Sequence, residues 1–418
     1  MSELSFLEKL LDGVDVDYKP LVKVCDFKNG FAFKSALFKE AGLPIIRITN
    51  VDGKTINLSD VKYFNPTDYK ENTESYKIKY GDILIAMSGA STGKIGFYAH
   101  EDFAYLNQRL GKFLPKKNKL KNRYLYHYLL SKIETIHVMA CGGAQPNLSS
   151  NELMTKFKIP IPCPDNPEKS LKIQAEIVRI LDTFTELTTE LNTELGLRKK
   201  QYSYYREQLL SFEEGEVEWK PLGDLGELVR GSGLPKADFT ESGVPAIHYG
   251  QIYTYYGLST NTTISFVSHV SAKKLKKVNT GDVVITNTSE NIKDVGKSVV
   301  YLGKEQAVTG GHATIFKPGA SITGKFFAYY AQTVMFEKQK RRLAKGTKVI
   351  DVSAKDMAKI TIPIPSIALQ NRITDILDKF DTLTNSISEG LPREIELRQK
   401  QYEYYRDMLF SFPKPKPK

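Results

Sequence analysis

Four short stretches of the sequence combine residue types that can do chemistry. Gly89 to Lys94, GASTGK, has the outline of a phosphate loop, in which backbone N–H groups cradle phosphates and the lysine reaches them. It is one residue short between its glycines, and Ile95 stands where a Ser or Thr would hold a metal ion. Asn65 to Tyr69, NPTDY, is close to the Asn-Pro-Pro-Tyr box of an adenine-methylating site. Thr67 and Asp68 break it, and no glycine-rich cofactor loop accompanies it. His137 and Cys141 lie four apart on an expected helix, a metal-ligand spacing, but no Cys-x-x-Cys or second His pair completes a set of four. Glu74-x-x-Lys77 is half of a nuclease pattern without its Asp. These fragments predict a binder and not an enzyme, with no cofactor or metal of its own.

The remaining chemistry is charge. The 418 residues carry 59 Lys and Arg against 48 Asp and Glu, a net charge of +11. A surplus of that size attracts polyanions through counterion release. The three cysteines, Cys25, Cys141 and Cys163, are scattered, which argues against a disulfide framework. No run of 18 apolar residues and no basic-then-apolar start occurs, so a cytoplasmic protein without a membrane span is expected.

The elements that position this charge are duplicated. LRKKQYSYYREQLLSF at 197–212 returns as LRQKQYEYYRDMLFSF at 397–412, with eleven of sixteen positions identical. In the same order YKPL (18–21) answers WKPL (219–222), GLPIIRITNV (42–51) answers GVPAIHYGQI (243–252), and GDILIAMSGA (81–90) answers GDVVITNTSE (281–290). KIPIP (158–162) likewise answers TIPIP (361–365), and IQAEIVRILDTF (173–184) answers LQNRITDILDKF (369–380). A tandem duplication accounts for that order, giving the plan block, helix, block, helix.

Each block reads as mixed α/β. In the first, Pro44 to Val51, Asp82 to Met87, Gly96 to His100 and Gly111 to Leu114 are short apolar or β-branched runs bounded by turn residues. Asn122 to Ala140 reads as one amphipathic helix. The IPIP prolines predict an extended exit at the edge of each block.

The helical segments carry a heptad seam: Ile173, Ile177, Ile180, Phe184, Leu187, Leu191, Leu195, Arg198, Tyr202, Tyr205, Leu209 and Phe212. The second runs from Leu369 through Ile373, Ile376, Phe380, Leu383, Ile387, Leu391, Ile395, Arg398, Tyr402, Tyr405 and Leu409 to Phe412, with one extra step of four beside Gly390-Leu391-Pro392, where a kink or helix restart is expected. The sister segment is the economical partner for each seam, as an antiparallel pair with one block at each end; the alternative lays each helix on its own block. The segments 171–212 and 368–412 sum to −2, so the positive field belongs to the blocks. LEKLLDGVDVDYKPL (7–21) echoes REQLLSFEEGEVEWKPL (206–222), as if the chain opened with the last turn of a third helix copy able to dock beside the end of the second.

This whole-chain pattern resembles the specificity subunit of Type I restriction-modification systems. The resemblance rests on the twin stretches Ile173 to Phe184 and Leu369 to Phe380, the IPIP exits and the Tyr-rich ends Gln201 to Phe212 and Gln401 to Phe412. It implies two target recognition domains, each reading half of a split DNA sequence, held apart by an antiparallel coiled coil that sets the spacer. The implied division is 1–166, a first domain with a short N-terminal helix; 167–212, the central helix; 213–366, the second domain; 367–412, the C-terminal helix; and 413–418, a basic tail. The implied partners are double-stranded DNA, two methyltransferase subunits and, through them, nuclease/translocase subunits. S-adenosylmethionine would belong to those partners. A stand-alone sequence-specific DNA binder and a coiled-coil scaffold are the rival readings.

Residue type and loop position mark DNA-binding candidates, since amide and guanidinium groups read base edges and Lys grips phosphates. In the first block these are Lys34, Arg47, Asn50, Ser88, Ser91, Lys94, Gln108, Arg109 and Gln145. The matching loops of the second offer Lys236, Tyr249, Gln251, Tyr253, Asn287, Ser289, Asn291, His312, Thr347 and Lys348. The two sets differ in chemistry, which predicts an asymmetric target. On the helices, Arg198, Lys199, Lys200 and Arg206, with Arg398, Lys400 and Arg406, are candidates for the methyltransferase contact.

Overall fold

A computed structural model describes residues 10–412 apart from 12, 142–145 and 214. The chain divides into two compact units, one running to Thr189 and joined by the residues from Leu397 onward, the other Glu190–Glu396. Each unit therefore owns one block, part of the central helix Pro167–Leu209 and part of the C-terminal helical segment.

The first block stacks two four-stranded sheets. One orders Cys25–Asn29, Leu110–Pro115, Ile83–Ala86 and Ile95–Phe97, all antiparallel. The other orders Lys62–Phe64, Leu43–Ile46, Ala104–Leu106 and Lys77–Ile78, with a parallel pair at its centre. All four residues of Ile83–Ala86 are buried, which explains an apolar run without alternation. Successive side chains of a strand point to opposite faces. Ile83 and Ile85 accordingly join the core that also contains helix residues, while Leu84 and Ala86 join a second core with Ile46 and Leu106 of the other sheet. The second unit repeats the scheme with two five-stranded sheets: Val283 and Ile285 meet the helices, and Val284 meets Ile247 and Ala307.

Each proline-rich exit is a strand. Lys158–Pro162 pairs antiparallel with Val16–Pro20, and Thr361–Ile364 with Glu218–Pro221, so the end of each block is fastened to its beginning. Two-stranded pairs tolerate the prolines, since each strand is an edge.

The structure corrects three expectations. The run Pro44 to Val51 is strand only to Ile46, because Asn50 folds back: its Oδ1 accepts from the Arg47 N–H at 2.9 Å and closes a turn. The expected helix Asn122 to Ala140 breaks at Lys132 into Asn122–Ser131 and Ile133–Ala140. Two residues of the expected seam are exposed: Leu369 at the start of its helix, where its neighbour Gln370 is buried instead, and Ile387, which lies between the helices Ile367–Asn385 and Gly390–Leu409.

In the first unit, Ile173, Ile177 and Leu181 share a core with the block and with Tyr402, Leu409 and Phe410, and Phe184 stacks on Tyr405 at 5.2 Å. In the second, Ile373 and Leu377 share a core with Tyr202 and Leu210, and Phe380 stacks on Tyr205 at 5.6 Å. The helices thus pack on their blocks and on each other. Leu11 is buried in the core that holds Leu409 and Phe412, and the Tyr18 hydroxyl donates to the Phe412 carbonyl at 3.2 Å. The echoed start therefore lies with the end of the second helix copy. The expected break near Gly390 is present, with helices Ile367–Asn385 and Gly390–Leu409 on either side.

Candidate DNA interface

Strand register gathers the candidate loops at one rim of each block. In the first unit Ile46 lies beside Leu106 in the parallel pair, so Arg47 and the turn Asn107–Arg109 leave the sheet at the same end. Ala86 lies opposite Leu110, which brings Ser88 beside that turn; the Met87 N–H donates to the Arg109 carbonyl at 2.9 Å. In the second unit Ile247 lies beside Thr309 and Thr286 opposite Ala313, placing Tyr249, Thr288 and His312 at the equivalent rim.

The rims differ in chemistry. On the first, Gln108 and Arg109 are exposed at the tip of their turn. Ser88 bridges to Asn147, Ser91 and Lys94 sit on the loop that follows, and Lys34 is exposed beside Tyr69, whose hydroxyl accepts from its N–H at 3.0 Å. The loop Gly89 to Lys94 is closed by its own groups, since Thr92 donates its hydroxyl to the Gly89 and Pro146 carbonyls. Arg47 turns to Asp60 at 3.2 Å. Gln145 lies outside the described residues.

On the second rim the side chains form an aromatic and imidazole group. Tyr249 packs against His248 at 4.5 Å and against His312 at 4.9 Å, and His312 Nδ1 lies 3.0 Å from the Thr288 hydroxyl. The Tyr253 hydroxyl donates to the Thr288 carbonyl. Ser289 pairs with Ile350 in a short antiparallel arm whose tip exposes Thr347 and Lys348. Asn291 is exposed but bonded to Asp294, and Lys236 lies in the turn Lys236–Asp238.

Three candidates are consumed by the fold. Asn50 is buried, and its amide donates to the Asn57 and Asp60 carbonyls. Asn287 is fully buried between the Val352 carbonyl and the Thr314 hydroxyl. Gln251 caps its own helix through the His248 N–H and donates to Ser265. An amide whose groups are satisfied internally has little left for a base edge.

Of the helix candidates, Lys199 and Lys200 are exposed, as is Lys400. Arg198 and Arg398 each donate to a glutamine three residues on, Gln201 and Gln401. Arg206 and Arg406 each lie over the ring four residues earlier, Tyr202 and Tyr402, at 5.6 Å. These two brace the helix ends.

The blocks are held to the helices by twin polar joints that apolar periodicity cannot reveal. Gln174 accepts from the Lys121 N–H at 2.8 Å and donates to the Lys119 carbonyl; Gln370 accepts from the Thr323 N–H at 2.9 Å and donates to the Ser321 carbonyl. Asp182 accepts from Arg123 and from His127 at 2.7 Å, while Asp378 accepts from Lys325 at 2.6 Å and Tyr329 at 2.7 Å. Burial raises the Asp182 carboxyl, but its hydrogen bonds from His127 and Arg123 outweigh that and hold it below the usual range. Thr288, which steadies His312, is not marked by residue type, and its place next to Asn287 in the chain is its only sequence signal.

The profile of the Type I restriction modification DNA specificity domain matches this chain twice, over residues 13–197 and 214–397. The chain belongs to the Type I restriction-modification specificity subunits. It is 39% identical to the EcoR124I/EcoR124II specificity subunit of Escherichia coli, with 99% of each chain covered, and 32% identical to the EcoprrI specificity subunit of the same species over 93% of each. Among solved structures, the S subunit of a Type I system from M. genitalium superposes with a TM-score of 0.56 at 17% identity, covering 96% of this chain and 98% of that one. A chain from a structure of type I R-M complex assembly gives 0.59 at 17%, covering 94% and 97%. At that identity the likeness speaks for the fold. The two matched regions make this a specificity subunit with two target recognition domains, and no helix among the described residues is long and apolar enough to cross a membrane.

Proposed function

We propose that this specificity subunit reads a bipartite, asymmetric DNA target, one half with each rim, and that its helices form an antiparallel coiled coil setting the spacer. The domain limits are the implied ones, 1–166, 167–212, 213–366, 367–412 and the tail 413–418, of which the tail lies outside the described residues. The observation that carries the reading is the repeated rim, built by the same strand register in both units and furnished with different side chains. Gln108 and Arg109, with Lys34, Ser88, Ser91, Lys94 and Gln145, read the first half; Tyr249, Tyr253, His312, Ser289, Asn291, Lys236, Thr347 and Lys348 read the second.

The antiparallel direction is supported by the stacks inside each unit. Phe184, early in one helical segment, meets Tyr405 late in the other, and Phe380, early in its segment, meets Tyr205 late in the first. An antiparallel pair satisfies both. The chain itself is non-catalytic and binds no cofactor; two methyltransferase subunits dock along the helices through Lys199, Lys200 and Lys400, modify adenine in each half-site, and recruit the nuclease/translocase subunits.

The test is to co-express the chain with its methyltransferase partner and map modified adenines. The expected result is one adenine in each half of a split, non-palindromic sequence with a constant gap. Methylation within a continuous or palindromic sequence overturns the reading, as does tight specific binding by the isolated chain with no partner retained.

A further inference from the structure

The duplication makes one difference between the units informative. The segment 334–348 of the second block, VMFEKQKRRLAKGTK, carries six Lys or Arg and one Glu, a net of +5, whereas the segment at the same place in the first, 133–147, has one Glu and no Lys or Arg. Both begin with a helix that buries one side against its block: Ile136 and Ala140 in the first, Phe336 and Lys340 in the second. The repeated fold therefore asks only for the buried side, and the charge on the other serves something else.

That charge is ordered. Lys338, Arg341 and Arg342 follow the spacing i, i+3, i+4 on one face of the helix Val334–Leu343, Lys345 lies just past its end, and all four are exposed. Two are partly engaged, Arg341 by Glu337 at 2.8 Å and Lys345 by Asp356 at 2.9 Å; Lys338 and Arg342 have no ion pair among the described residues. Lys338 and Arg341 line a cleft of about 790 Å³ that is also lined by Lys293 and Lys297, on the loop that follows Thr288 and Ser289 of the rim; Lys297 is partly engaged by Asp294 at 2.7 Å. The acids of the cleft are spent: Glu337 on Lys340 and Arg341, Glu207 on Arg206 and the Val334 N–H, and Asp381 on Asn385. Ile252, Tyr256 and Leu258 add apolar side chains to its lining.

A groove lined by cations from two elements and by apolar side chains, and continuous with the rim, fits a sugar–phosphate strand, whose phosphates take the cations and whose sugars take the apolar side chains. We propose that the helix Val334–Leu343, with the loop carrying Lys293 and Lys297, grips the DNA backbone beside the half-site read by the second domain, and that the first domain has no equivalent grip. The proposal rests on the rim being the DNA face. It makes the two half-sites unequal: the second is held by phosphate contacts outside the bases it reads, the first by its rim alone.

The experiment uses the full chain assembled with its methyltransferase partners, binding cognate DNA over a salt series. Lys338→Ala/Arg341→Ala/Arg342→Ala is expected to leave the methylated sequence unchanged, weaken binding to cognate and unrelated DNA by the same factor, and reduce the slope of log affinity against log salt by about 2 to 3. Lys293→Ala/Lys338→Ala, which draws one cation from the loop and one from the helix, is expected to reduce it by about 2, with thermal melting unchanged for both variants. An unaltered slope in variants that melt normally overturns the proposal, as does a changed target sequence. Loss of a subunit from the assembly with the slope intact would assign the cleft to an acidic protein segment and overturn it equally. Parent protein lacking salt-dependent specific binding would instead refute the DNA reading of the rim.

Discussion

At the scale of single residues, His127 is the most consequential difference between the twin joints. It is fully buried, with Nε2 2.7 Å from Asp182 and Nδ1 2.9 Å from the Tyr402 hydroxyl, and it faces the cations Arg123 and Arg406. The neutral ring satisfies all three groups: Nε2–H donates to Asp182 and Nδ1 accepts from Tyr402. Burial holds its pKa below the ordinary histidine value, against the pull of Asp182. The unfolded chain thus binds this proton more readily than the folded one, so stability is full above about pH 6.5 and falls as pH drops below it. The second unit has Tyr329 in this place, which does not titrate there. His127→Tyr, copying the second unit, should flatten the loss of melting temperature between pH 7 and 5 while leaving melting at pH 8 within a few degrees; an undiminished acid limb would place the proton elsewhere.

At the scale of elements, the break in the C-terminal helical segment is built on one glycine. Gly390 has φ +73°, and a Cβ there would lie 2.4 Å from the Thr382 carbonyl oxygen and 2.8 Å from that of Leu383. Glycine is the residue that adopts this conformation without penalty. Gly390→Ala is expected to cost about 1–3 kcal/mol in thermal or denaturant unfolding. Four extra residues beside Gly390-Leu391-Pro392 were legible from the heptad count, and so were the seam itself and the strands around Ile83–Ala86. The early end of the strand at Ile46 was not legible, because it depends on an asparagine side chain closing a turn on the backbone three residues earlier. Nor was the helix break at Lys132, since no proline or glycine marks it in the sequence.

At the scale of the whole molecule, the duplication gives two rims that share a backbone and differ in side chains, and on the proposed reading each rim reads its own half of the target. A substitution at one rim should therefore alter one half of the target and leave the other half and the spacer untouched. His312→Ala removes the imidazole that Thr288 holds against Tyr249, and Arg109→Ala removes the exposed guanidinium of the first rim. Each is expected to relax discrimination at one or two base pairs of its own half-site, by about 1–3 kcal/mol, read as degeneracy in the map of methylated adenines. A change in both halves from either substitution would contradict separate reading.

Read alone, the sequence determined the duplication, the alternation of blocks and helices, the apolar seam and the family, because each of these is a pattern of residue types along the chain. The tertiary structure decided which polar residues remain available. Asn50, Gln251 and Asn287 look like base readers by type, and Gln174 and Gln370 look like surface amides, until partners as distant as Val352 and Ser321 are seen to occupy them. A buried amide must be satisfied wherever the fold brings a partner within about 3 Å, and linear order does not contain that distance.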